Sequence, residues 1–124
     1  MATLETLRPS IAHQDYLNRL YDMGIFDKKL DVWAYCASYA LGKGLSPEDN
    51  SGSQMGSDLV HLDSDILDTL KAAVLSKLNH KLNDEDLVKA LSKYATAGIE
   101  AIRRETEGKS RTEIYEFLLG QVEG

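Results

Sequence analysis

Four cations gather near the C-terminal end of this acidic chain, Arg103, Arg104, Lys109 and Arg111 in the run IRRETEGKSRTE. Guanidinium and ammonium groups at that density could hold an anion, a nucleic-acid backbone or an acidic protein surface. Glu105 and Glu107 lie among them, so a solvated face with local ion pairs is the plainer reading. The formal net charge of −6 over 124 residues argues against a general nucleic-acid coat, which needs a lysine and arginine surplus. A local contact with nucleic acid stays open.

The other reactive side chains are scattered. Cys36, the single cysteine, lies in an apolar run, where it reads as a small buried hydrophobe rather than a reactive thiol; alone it forms no internal disulfide. His13, His61 and His80 lack a second ligand three or four residues away, so no metal is expected. Asp63, Asp65 and Asp68 bunch where a helix should start, and compensation of the helix dipole explains them better than acid–base catalysis. The glycine-bearing run SGSQMGS lacks the lysine and preceding strand of a phosphate loop. No catalytic set and no cofactor motif emerges, and the chain reads as a non-enzyme. Tyr35 and Tyr39, four residues apart, read as core-edge residues with hydroxyls at the surface, or as part of an interface.

The elements that must position these groups are helical. Between Leu30 and Leu41 every residue except Asp31 and Ser38 is apolar or aromatic, so a helix over 27–43 must be surrounded by the rest of the protein. Asp27 is its expected cap, Phe26 an expected staple, and Gly42 with Gly44 its end. Ser10, directly after Pro9, is expected to cap a first helix carrying Ile11, Tyr16, Leu17, Leu20 and Tyr21 on one side. Ser64 should open a third, with an apolar stripe of Ile66, Leu67, Leu70, Ala73, Val74 and Leu78. Asn83 should open a fourth, whose Gly98 sits on the apolar face and implies close approach by another helix, in return for roughly 1 kcal/mol of lost propensity. Ser110 and Glu113 form a capping box for a fifth through Ile114, Phe117, Leu118 and Val122.

Residues 1–9 read as an N-terminal tether, from which Leu4 and Leu7 could dock, and 46–58, SPEDNSGSQMGSD, as a flexible loop. LVHL at 59–62 is at most briefly extended and gives no reason to expect a sheet. The expectation is a single all-α domain over 1–124, a compact bundle of about five helices around the central one. The start lacks a basic segment followed by an apolar one, and no run reaches spanning length, so a cytoplasmic protein without membrane contact is expected.

Two stretches carry a resemblance. FDKKLDVWAYCASYALGKG at 26–44 and LSKYATAGIEAI at 91–102 resemble the DNA phosphorothioation-associated protein 4 family, small proteins encoded beside prokaryotic systems that place sulfur in the DNA backbone. The first is similar to the family's aromatic–lysine–aspartate entry to an apolar helix ending in glycine. The second is similar to a segment with a Tyr-Ala pair ahead of a glycine, although Thr96 and Ala97 stand here where Asn and Gly would be expected to follow the pair. The likeness covers about half the chain and brings no catalytic residues with it. It implies a non-enzymatic accessory protein of a phosphorothioation or phage-defence system, acting through a protein partner. The alternative is a small dimeric DNA-binding regulator using the basic patch at 103–111. Five apolar stripes plus the tyrosine pair in so short a chain also suggest a homodimer, with Tyr35 and Tyr39 or the last helix at its interface; the alternative is a monomer whose tyrosine edges face water.

Overall fold

The computed structural model describes residues 6–50 and 52–123, with side chains through 120. Among these described residues five α-helices, α1 (Gln14–Asp22), α2 (Lys29–Lys43), α3 (Ser64–Leu78), α4 (Asp84–Thr106) and α5 (Arg111–Glu123), make an all-α bundle. Two residues, β1 (Ser10–Ile11), pair antiparallel with β2 (Ser53–Gln54) as its one small ladder among the described residues. Among those residues, no helix is long and apolar enough to cross a membrane.

The apolar helix α2 is the centre of the bundle. Leu30, Val32, Trp33, Ala34, Cys36, Ala37 and Ala40 are all buried, over rather more than half of the helix circumference, while Ser38 and Gly42 on the remaining side are exposed, and its largest contact is with α4. That contact is close because of Gly98. A Cβ placed there would lie 2.6 Å from the Cys36 carbonyl carbon and 3.1 Å from its Cα, and closer still to the carbonyl oxygen. These are backbone atoms with no rotamer to yield, so any side chain at 98 would have to push the two helices apart.

Helix starts follow short polar side chains where they are exposed. The Asp63 carboxylate accepts from the amides of Asp65 at 2.9 Å and Ile66 at 3.3 Å, and the Asn83 carbonyl oxygen accepts from Asp86 at 2.8 Å. The capping box at α5 is complete: Glu113 N donates to Ser110 Oγ, and Ser110 N to Glu113 Oε1, both at 3.2 Å. Hydrogen bonding from the Ser110 amide, and after it from the Ser110 side chain, holds the Glu113 carboxyl below its usual range.

Four local expectations are corrected. Ser10 caps no helix. Its residue pair is extended, and α1 begins at Gln14 behind a left-handed His13 (φ 56°). The reason is a long-range match between helix and strand. Ser92 and Thr96 are one turn apart on α4, about 6 Å along its axis, nearly the spacing of alternate residues in a strand. Ser92 Oγ accepts from Ser10 N at 2.9 Å and Thr96 Oγ1 from Ala12 N at 3.1 Å. Trp33 Nε1 donates to the Ser10 carbonyl at 3.1 Å. These bonds satisfy one edge of the extended backbone while β2 pairs along the other, and a helix there would forfeit them.

Asp27 is not the cap of α2. Lys28 holds that position without a side-chain capping bond, and Phe26 packs edge-on against Tyr35, ring centroids 5.4 Å apart. Residues Leu59–His61 form a 3-10 turn rather than an extended segment. Ile66 is 39% exposed, outside the stripe formed by Leu67, Leu70 and Val74.

The loop at 46–58 is fastened at several points. Met55 is buried and its amide donates to the Pro9 carbonyl at 2.8 Å, Glu48 N donates to Lys93 O at 3.2 Å, and Gly52 crosses so close to the backbone of Ile11 and Ala12 that a Cβ would overlap it. The expected tether docks as well. Pro9 is buried, and the Leu7 carbonyl accepts from Leu59 N at 3.0 Å. Residues 1–5, Leu4 among them, and the Val122 side chain lie outside the described set.

Candidate functional site

The four cations expected to act together are all exposed, and the structure distributes them around the meeting point of α1, α4 and α5. Arg103 and Arg104 sit on the last turn of α4, where Arg104 pairs with Glu100, one turn back, at 3.6 Å. Lys109 lies in the connection between α4 and α5. Arg111, the first residue of α5, turns toward α1 and donates to the Asp22 carbonyl oxygen at 3.4 Å.

That turn creates the site. Arg111 and Ile114 from α5 face Tyr16, Arg19, Leu20 and Asp22 from α1, with Met23 beyond its end, around a cleft of about 270 Å³. Tyr16 anchors the arrangement. Thr106 Oγ1 donates to the Ile102 carbonyl at 2.7 Å, so the same oxygen accepts from the Tyr16 hydroxyl in a short buried contact. This bond locks α1 onto the end of α4. The guanidinium of Arg19 then lies over the Tyr16 ring, 5.5 Å from its centroid, which holds a long side chain against the wall. Two guanidinium groups therefore border a partly apolar floor of Leu20 and Ile114, with one carboxylate, Asp22, on the same lining. Such a lining can take a carboxylate or phosphate that is attached to an apolar group.

Arg19 is the functional candidate that periodicity missed. It falls on the polar side of the first helix, and nothing in local spacing ties it to Arg111. The only hint is a charged residue three positions beyond an aromatic one.

Tyr35 and Tyr39 are brought together against α5. The Tyr35 hydroxyl donates to the Leu118 carbonyl at 3.3 Å, and the Tyr39 ring lies 6.3 Å from that of Phe117. Burial pushes the Tyr35 phenol up to about 12, with Cys36 and Tyr39 adding to it; Tyr39 is raised too, by burial and then by Glu105. Both rings are partly covered by the chain's own last helix. Cys36 is wholly buried, and burial raises its thiol far above the ordinary range, so the thiolate that a nucleophile requires is suppressed.

Among the described residues no group of three or more His, Cys, Asp or Glu side chains is placed to hold a metal ion. No family model, curated protein or solved structure matches the chain.

Proposed function

We propose that this chain is a non-enzymatic accessory protein of a prokaryotic DNA phosphorothioation or phage-defence system, and that it works by holding a protein partner at the cleft between α1 and α5. The observation that carries the reading is the pairing of Arg19 with Arg111, distant in sequence, over the apolar side chains of Leu20 and Ile114. A partner segment with an acidic residue beside an apolar one matches both parts of that lining. The likeness of 26–44 and 91–102 to the phosphorothioation-associated family supports the biological setting.

The second reading, a small dimeric DNA-binding regulator, is favoured by the exposure of all four cations at 103–111. Three features weigh against it. Arg104 and Arg111 already have acceptors, Glu105 and Glu107 interleave, and the net charge is negative. Phosphate contacts by a basic surface would weaken steeply with salt. A gel-shift titration with duplex DNA at physiological salt distinguishes the two. No shift is expected; a salt-sensitive shift abolished by Arg103→Ala with Arg104→Ala would replace the adaptor by the regulator.

A further inference from the structure

A second concave surface lies on the other side of α1, away from the arginine cleft. It is a groove of about 580 Å³, bordered by α1, by the entry to α2 and by residues 55–61. Its floor is apolar, made of Leu17, Leu30 and Met55, all buried. The rim is cationic, because Lys28 and Lys29 stand against a single carboxylate, Asp27. In a chain of net charge −6 this is a local reversal of sign.

The two ammonium groups are placed with donors to spare. Lys28 Nζ donates to the His61 carbonyl at 2.9 Å, which fixes it across the groove and uses one of three protons. Lys29 Nζ rests over the Tyr21 ring, 5.8 Å from its centroid, an interaction that engages no oxygen acceptor. Asn18 offers an amide from the same face of α1. Gln14, by contrast, is spent on the β2 backbone, donating to Ser53 O at 2.8 Å.

We propose that this groove binds a small organic phosphate of nucleoside-monophosphate size, its phosphate between Lys28 and Lys29 and its less polar body on Leu17, Met55 and the Tyr21 ring. Several spare lysine protons suit a phosphate, with its many acceptor oxygens, better than a lone carboxylate. The volume lies within the usual range for small-ligand sites, and an apolar floor beneath a few convergent polar groups is their common composition.

The test is a titration of the full chain with AMP, adenosine and inorganic phosphate, followed by amide NMR shifts and calorimetry. AMP is expected to saturate, moving amides within 14–30 and 55–61, and to bind more tightly than either fragment. Lys28→Ala with Lys29→Ala, both exposed positions, should weaken AMP at least about tenfold while leaving the circular dichroism unchanged. Asp27→Asn, which removes the opposing charge, should tighten it. Absence of saturable shifts at millimolar AMP would overturn the proposal. So would undiminished affinity in the double lysine variant, or inorganic phosphate binding as tightly as AMP.

Discussion

Gly98→Ala is the sharpest perturbation of this fold, because two calculable effects oppose each other there. Alanine in a helix interior is favoured over glycine by roughly 1 kcal/mol. Against this, the added methyl would lie 2.6 Å from the Cys36 carbonyl carbon, where ordinary van der Waals contact begins at 3.4 Å. The Cys36 carbonyl oxygen is closer still, so the helices must part by more than about an ångström, along the contact of α2 with α4, the most extensive between elements. Overpacking typically costs 1–3 kcal/mol, and an unyielding backbone obstacle places this case at about 3 kcal/mol or more. The net expectation is destabilisation by about 2 kcal/mol. Gly42→Ala supplies the control: that glycine is also helical, in α2, but its Cβ would meet nothing within 4 Å. It should therefore stabilise by about 0.5–1 kcal/mol. Urea unfolding followed by circular dichroism reads both. Equal or greater stability in Gly98→Ala would refute the close helix contact.

Trp33→Ala should cost about 3–5 kcal/mol, since it empties the middle of the core and also frees the Ser10 carbonyl; a loss below about 1 kcal/mol in urea unfolding would contradict the central position of α2. Ser92→Ala should cost about 1–2 kcal/mol by leaving the Ser10 amide without its acceptor, and hydrogen exchange at that amide should quicken; unchanged exchange would show that β1 is held otherwise. In an alkaline absorbance titration, Tyr35 should ionise near 12, well after an ordinary tyrosine near 10. The raised folded value means that its contribution to stability is full below about pH 10 and is lost as pH climbs through 12, so Tyr35→Phe should flatten this part of the stability curve. Ionisation of Tyr35 with the exposed tyrosines would contradict its burial.

The helical frame was legible because its causes are local or periodic. An all-round apolar run had to be central, Gly98 on an apolar face had to mark a close approach, and Ser110 with Glu113 reads as a capping box in any context. The beginning of the chain was not legible for the opposite reason. Ser10 looks like a helix cap by type and place, yet its backbone is claimed by Ser92 and Trp33, which local propensity does not sense. The 46–58 loop has turn composition throughout, and only Met55 hinted that part of it docks. Of the site, the four cations at 103–111 were visible as a cluster, whereas the partnership of Arg111 with Arg19 depends on the Tyr16 and Thr106 hydroxyls locking α1 to α4. Tyr35 and Tyr39 were recognisable as an edge, but not as one partly covered by α5.

The most direct test of the adaptor reading is genetic complementation in the native host, scoring phosphorothioate linkages in digested DNA by mass spectrometry together with phage plating. Loss of the gene should change one or both, the wild-type chain should restore them, and Arg19→Glu with Arg111→Glu, expressed at normal level and with native circular dichroism, should fail to do so. Full restoration by that charge-reversed protein would contradict a role for the cleft, and an unchanged phenotype on loss of the gene would contradict the assignment to such a system.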